Sequence, residues 1–441
     1  MHERHLDEAA FCFELRDAAL EAPHYTLAEI EVGPERRLFN HLEALRRGGP
    51  LVAQHLLELA SDPNHEIEQV AVAALGVMAA GPGVQSLLPR VREAGSADQR
   101  KGLAHALALG VDATMNSALV AELSRLLEHE PAQPTLLRAL ASHSGPNHAL
   151  VGQLGDLLSS PNPEVVWAAT QLARRGVSPT ILATLAAVTQ IVQQATEHPN
   201  DLRRATLECA LIHSLPGAGD WVRHWAQQIE ATAMRDHALT WLAQLGGPSE
   251  HTWLVWHANN TEPSRALLWA LGFSGRVEAV DRCLDCLDDP ALAPLAAEAI
   301  CAITGLSTED ERYWLPPSDA AHDDGLPALE HDDLEADLVP DSEDALPRPD
   351  PAALRDWWAR TRTQFSPELR YLAGRPLDGP GLLAALEHGS ARRRSALAFE
   401  LEVRSHGRAF VDTRAWCWAQ RASLAAATAH AAGIDAQKGR L

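Results

Sequence analysis

From Ser61 onward the chain repeats one arrangement of polar and apolar positions. A short Asp, Pro or Asn-bearing turn comes first, then small and branched apolar residues at helical spacing, then a glycine. Ser61-Asp62-Pro63-Asn64 leads into Val70, Ala73 and Ala74 and ends at Leu75-Gly76. Ser160-Pro161-Asn162-Pro163 leads into Val165-Val166-Trp167-Ala168-Ala169, ending near Gly176. His198-Pro199-Asn200-Asp201 precedes Arg204-Ala205 through Ala210, and Asp289-Pro290 precedes Leu295 through Ile300 and Gly305. Side-chain oxygens in such turns cap free helix amides, and proline tolerates the first helical turn. Glycine supplies a left-handed stop, so Gly76 is expected to end its helix. From Gly76 to Gly110 is 34 residues and from Gly110 to Gly176 is 66, two units of 33. A period near 30–40 with two helices per unit predicts a stacked helical array, because one amphipathic pair cannot bury its apolar face alone.

The pattern divides the chain. Residues 1–49 predict an N-terminal helical cap, with one helix over Leu6–Leu20 and a second starting at Thr26 or Pro34 and ending at Gly48-Gly49. Residues 50–306 predict about eight helix pairs. Their Val-x-x-Ala-Ala-x-x-Leu-Gly runs after short Asp/Pro turns resemble HEAT repeats. Residues 307–350, rich in Asp, Glu and Pro, read as a flexible linker. Residues 351–441 read as a small C-terminal helical module, with helices from Ala352, over Gly381–His388 and Ala391–Arg404, and around Thr413–His430. The expected fold class is therefore all-α, a HEAT-like α-helical solenoid.

Composition sharpens this division. The net charge of −22 is uneven: the linker holds 15 acids against two bases, while the C-terminal module is net +6. The opposition predicts that the linker folds back to shield the module's arginines until a partner displaces it. An acidic body repels phosphate backbones, so nucleic acid is not an expected partner. Six scattered cysteines form no disulfide framework and suit a reducing compartment. The polar N-terminus and the lack of any 18-residue apolar run predict no membrane insertion and a cytoplasmic protein.

Motifs for chemistry are sparse. Cys283-Leu284-Asp285-Cys286 lacks a second ligand pair, and cysteines three apart on a helix fit a core equally well. His65-Glu66 opens a helix, as in the HEAT-type deoxyhypusine hydroxylases, but the equivalent positions Pro163-Glu164 and Asn200-Asp201 lack the pair, and His129-Glu130 and His2-Glu3 fall elsewhere. Asp319–Gly325 fails the register of a calcium loop. No phosphate loop or nucleophile elbow is present. Neither a metal nor a cofactor is expected. Arg392-Arg393-Arg394 is the one basic concentration; three successive helical positions point three ways, which predicts a solvated face. Trp357 and Trp358 cannot both face one core, so one should be exposed or cover the linker. Tryptophan is enriched at interface hot spots.

Several stretches together resemble one uncharacterised proteobacterial family of HEAT-repeat proteins. They include Asp7–Phe11, Ala22-Pro23-His24-Tyr25-Thr26-Leu27, Leu268–Gly275, Ala299–Gly305, Asp337–Pro340 and Arg370-Tyr371-Leu372-Ala373-Gly374-Arg375. The chain departs from the family at Arg36–Asn40. Members are often encoded near type VI secretion genes, so the resemblance implies an accessory or adaptor role. The expected function is a protein-binding scaffold, with Trp357, Trp358, Arg370, Tyr371, Arg375, Arg392, Arg393 and Arg394 as partner-binding candidates. The alternative is an enzyme assembled from distant residues, for which His24, Tyr25, Arg370, Tyr371 and Arg375 are the candidates. An enzyme should show a deep cleft with converging polar groups, and a scaffold a broad, shallow groove.

Overall fold

The computed structural model describes residues 2–80, 83–110, 118–122, 125, 133–143, 149–195, 198–230, 232–316 and 342–441. The architecture is an all-α solenoid. Its N-terminal unit is α1 (His2–Ala19), then α2 (Leu27–Ile30), which continues through a π-turn (Glu31–Glu35) into α3 (Arg36–Arg47). Thr26 starts α2 through a capping box: its hydroxyl accepts from the Glu29 amide, and the Glu29 carboxylate accepts from the Thr26 amide at 2.7 Å.

The array has an outer and an inner layer. The outer helices are α4 (Gly49–Leu59), α6 (Gly83–Glu93), α9 (Leu154–Leu158), α11 (Pro179–Gln194), α13 (Ala218–Ala226), α15 (Pro248–Asn260) and α17 (Val277–Asp285). The inner helices are α5 (Ile67–Ala79), α7 (Ala97–Leu109), α8 (Gln133–His143), α10 (Pro163–Ala173), α12 (Asn200–Ile212), α14 (Ala233–Leu245), α16 (Arg265–Ser274) and α18 (Ala293–Thr304). Each inner helix packs on the next through buried Ala and Leu. The starts follow the expected chemistry: Asn162 caps α10 with Pro163 behind it, and Ser96, Ser178, Thr232 and Ser264 cap others. Gly305 closes α18 in the left-handed region. Gly76 does not: α5 runs on to Ala79, and Gly76 is where Leu56 approaches so closely that an added Cβ would lie 2.7 Å from its Cδ1. That glycine is a packing residue rather than a stop.

The described parts of 307–350 are ordered by pairing. The Leu315 amide donates to the Arg348 carbonyl at 2.9 Å, and the Asp350 amide to the Tyr313 carbonyl at 2.8 Å. The rest of the stretch expected to be flexible, 317–341, lies outside the described residues.

The C-terminal residues do not form a separate body. They comprise α19 (Pro351–Thr361), a two-residue hairpin of β1 (Tyr371–Leu372) with β2 (Arg375–Pro376), then α20 (Gly379–His388), α21 (Ala391–Arg404) and α22 (Cys417–Ala431). Helix α19 packs on α17, β1 on α18, and α21 on α12 and α14. Helices α20 and α22 reach α2, and α22 touches the π-turn. The two ends of the array are thereby joined into a ring. Core side chains cross over accordingly: Leu27 and Ile30 belong to the core of the C-terminal half, and Trp416 to that of the N-terminal half.

Candidate functional site

The eight residues expected to bind a partner do not form one surface. Arg370 is fully buried. Its guanidinium donates to the carbonyls of Ser274, Phe273 and Ala436, each at 3.0 Å, and to Glu400 at 3.0 Å. Arg404 shares that carboxylate at 2.8 Å and also donates to the Gln244 carbonyl at 2.7 Å. Helices leave their last carbonyls without partners, and here the array's α14 and α16 are finished by arginines of the C-terminal module. Burial pushes the Arg370 guanidinium down to about 10.

His251 belongs to the same seam. Its Nε2 lies 2.8 Å from the Ala243 carbonyl, while its Nδ1 accepts from Arg276 at 3.1 Å. This arrangement requires the neutral ring, and burial together with Arg370 pushes the imidazole down to about 3. At the other end of the seam the Trp416 indole donates to the Leu109 carbonyl at 2.8 Å.

Tyr371 is buried, its hydroxyl accepting from the Ser366 amide at 2.7 Å. Trp358 is buried and donates to Asp281 at 2.7 Å, while Trp357 covers Tyr313 with ring centroids 6.1 Å apart. Arg375 is exposed. The expectation of a solvated face at 392–394 is overturned. Arg392 pairs with Glu298 and with Glu343 of the linker, so the linker does meet that arginine. Arg393 lies under Phe273 (3.9 Å) and Trp269 (4.9 Å), and Arg394 donates to the Leu386 carbonyl at 2.6 Å. Burial between the array and the C-terminal module removes Arg370, Tyr371, Trp358, Arg393 and Arg394 from any surface contact. The His24 and Tyr25 rings meet at a tilt with centroids 4.6 Å apart, and the Tyr25 carbonyl accepts from the Ala391 amide, so both sit at the seam that closes the ring. Cys283 and Cys286 are buried, and burial holds the Cys283 thiol well above its ordinary range.

A different site emerges between the inner layer and the C-terminal module. A crevice runs there in two lobes that share Arg138, Ser142, Trp167, Asp412 and Arg414. The outer lobe, about 300 Å³, lies among α1, α7, α8, α10 and residues 412–415. The inner lobe, about 630 Å³, extends along α10, α12, α14 and α16 beneath α21.

One position per repeat lines this crevice. His105, Arg138, Trp167, Arg204, His237 and Trp269 each immediately precede an alanine buried in the inner layer. They are separated by 29 to 37 residues, one repeat each. The alanine lets the neighbouring helix approach, and the large residue before it turns inward. Neighbouring rungs touch. The Arg138 guanidinium lies 4.3 Å from the Trp167 ring centroid, and Arg204 lies 3.4 Å from His237 Nε2. Arg392 crosses from the module to Trp269 at 4.6 Å. Glu298 holds the same position in α18 and meets Arg392 and Arg393 there.

The inner lobe's charges are matched to one another. Arg174 bridges Glu208 at 3.1 Å and Glu402 at 2.6 Å; burial would lower its pKa, but these two carboxylates outweigh that and raise it. Burial, with Arg204 alongside, pushes His237 down to about 4, so its ring is neutral at neutral pH. Trp241 faces Phe399 of α21 with centroids 6.0 Å apart. No group of three or more His, Cys, Asp or Glu among the described residues is placed to hold a metal ion. Nor is any helix among them long and apolar enough to cross a membrane.

Fold and site together define an all-α solenoid closed on its own C-terminal module around an arginine- and tryptophan-lined crevice. A solved structure of an engineered protein is similar to this chain at 18% identity, over 67% of this chain and 87% of that one, with a TM-score of 0.32. No family model matches the chain, and no curated protein does.

Proposed function

We propose that this chain is a non-catalytic, cytoplasmic HEAT-type scaffold that receives a segment of a protein partner in the crevice. On the family resemblance, the partner is a type VI secretion component or effector and the role is that of an adaptor. The observation that carries this reading is the lining of the inner lobe: Trp167, Trp241, Trp269, Phe399 and Phe410 interleave with Arg138, Arg174, Arg204, Arg392 and Arg414. Tryptophan and arginine anchors in a desolvated pocket are what protein interfaces concentrate at their hot spots. The charged groups are engaged with one another, an arrangement suited to orienting a guest rather than to transferring a proton.

A second reading, an enzyme, draws on one fact. The inner face is a roofed crevice rather than a broad open groove, and residues from Arg138 to Arg414 converge in it. The two readings part under one experiment. The tagged chain and its Trp241→Ala and Arg204→Glu variants are purified from the native cytoplasm, and bound proteins and small molecules are identified by mass spectrometry. A stoichiometric protein held by the wild type and lost in both folded variants supports the scaffold. A partner-free chain that carries and turns over a small molecule moves the assignment to the enzyme.

A further inference from the structure

The linker reaches the inner lobe with one carboxylate. Residues Ser342–Ala345 form a 3-10 turn, and Ser342 is part of the lobe's wall. Beside it Glu343 meets two guanidiniums, those of Arg392 on α21 and Arg265 on α16. The residues that follow are held in another way. Leu346 is buried in the core of the C-terminal half, and Pro349 pairs with Trp314 through the backbone. The linker is thus anchored from Leu346 onward by apolar burial and backbone pairing, while Glu343 is drawn to the crevice by charge.

The groups that receive Glu343 carry a surplus of positive charge. Arg265, Arg392 and Arg393 share two carboxylates: Glu343, and Glu298 at 3.3 Å from Arg392 and 3.9 Å from Arg393. Arg393 is buried, and none of its guanidinium nitrogens has a hydrogen-bond partner among the described residues. The cations are also arranged in advance. Arg392 and Arg393 lie 4.6 and 4.9 Å from the Trp269 ring centroid, and Trp269 follows Arg265 by one helical turn on the same face of α16. Stacking fixes a guanidinium plane before a ligand arrives, so less side-chain freedom is lost on binding. The Arg265 side chain is half exposed, where an ion pair contributes little net stability. Exchanging Glu343 for another carboxylate therefore costs little, and effective concentration decides which one holds the seat.

We infer that the α16 end of the inner lobe is a carboxylate subsite, filled here by the chain's own Glu343, and that the segment received from a partner is acidic at this point. That the natural occupant belongs to a protein rests on the scaffold reading; the carboxylate subsite does not.

The test uses the full chain, its Glu343→Ala variant and a fluorescent peptide copying residues 338–347, followed by anisotropy titration. Glu343→Ala vacates the seat, so it is expected to bind the peptide saturably. The wild type should bind about tenfold more weakly, because a tethered rival acts at an effective concentration near the millimolar range. A copy of the peptide carrying Glu343→Gln should bind the variant about tenfold more weakly than the acidic peptide, as loss of a charge-assisted contact does. Arg265→Gln, at a half-exposed position, should weaken the acidic peptide on the Glu343→Ala background by about threefold. The proposal is overturned if Glu343→Ala shows no saturable binding, if the wild type binds as tightly as the variant, or if the Gln copy binds as tightly as the acidic peptide. Capture from the cytoplasm fails separately: a chain that takes the peptide there yet holds no protein keeps the subsite and loses the scaffold.

Discussion

Two buried arginine groups in the C-terminal module make opposite use of the same side chain. Around Glu400, Arg370 and Arg404 spend their N–H groups on carbonyls at the ends of α14 and α16 and on a shared carboxylate. At Glu298, Arg393 is also buried, yet its Nε, Nη1 and Nη2 have no hydrogen-bond partner among the described residues. It is held instead by the faces of Phe273 and Trp269 and a looser ion pair at 3.9 Å. Both guanidiniums are pushed down to about 10 by burial. The lesson is that burial of charge does not by itself report stabilisation. What separates the two groups is whether the donors finish helix ends that nothing else can finish.

The largest test of that contrast is Arg370→Met. It strands the carbonyls of Phe273 and Ser274 and leaves Glu400 with Arg404 alone, and a loss of about 3–5 kcal/mol is expected in urea denaturation. A loss under about 1 kcal/mol would erase the distinction. Next comes pH. His251 must stay neutral between the Ala243 carbonyl and Arg276, and its folded value of about 3 lies below the ordinary one near 6.5. In that window the unfolded chain binds the proton and the folded chain does not. Stability is therefore complete above pH 6.5 and falls toward pH 3 by about 1.4 kcal/mol per pH unit from this residue. Replacing it by His251→Gln should flatten that slope, and an unchanged slope would place the proton uptake elsewhere.

Trp416→Phe removes the donor to the Leu109 carbonyl while keeping the ring. A cost of about 1 kcal/mol is expected, less than Arg370→Met because one carbonyl is affected rather than several. The smallest effect belongs to Arg393→Leu. An apolar side chain under Phe273 and Trp269 replaces a poorly matched charge, so the change should stay within about 1 kcal/mol and in either direction. A loss as large as that of Arg370→Met would make the two groups equivalent.

Much of the fold was legible along the chain, and the reasons are local. Asn162-Pro163 and Thr26 with Glu29 announce helix starts through hydrogen bonds that span only a few residues. The spacing of Ala and Leu within 50–306 carries the stacking. The destination of the C-terminal module was not legible, because Arg370 meets Phe273 and Ser274 nearly a hundred residues away. A polar stretch such as Arg370–Arg375 reads as surface when its carbonyl partners are out of sight. The crevice is an intermediate case. Its rungs recur in the sequence as a large residue before an alanine, His105, Arg138, Trp167, Arg204, His237 and Trp269. The glycines mark the repeat less faithfully, since Gly76 lies inside α5.

The contacts that join α20 and α22 to α2 also have a mechanical meaning. An open helical array is a spring: small rotations at each repeat add up, and its ends can open or wind through large distances at little cost. Strapping the first unit to the last converts the spring into a hoop, in which a rotation at one repeat must be cancelled at the others. The hoop also counts. A duplicated or deleted repeat, which an open array accommodates by growing or shrinking, would here leave Arg370 and Trp416 facing the wrong helices, so repeat number is a fixed dimension of this molecule.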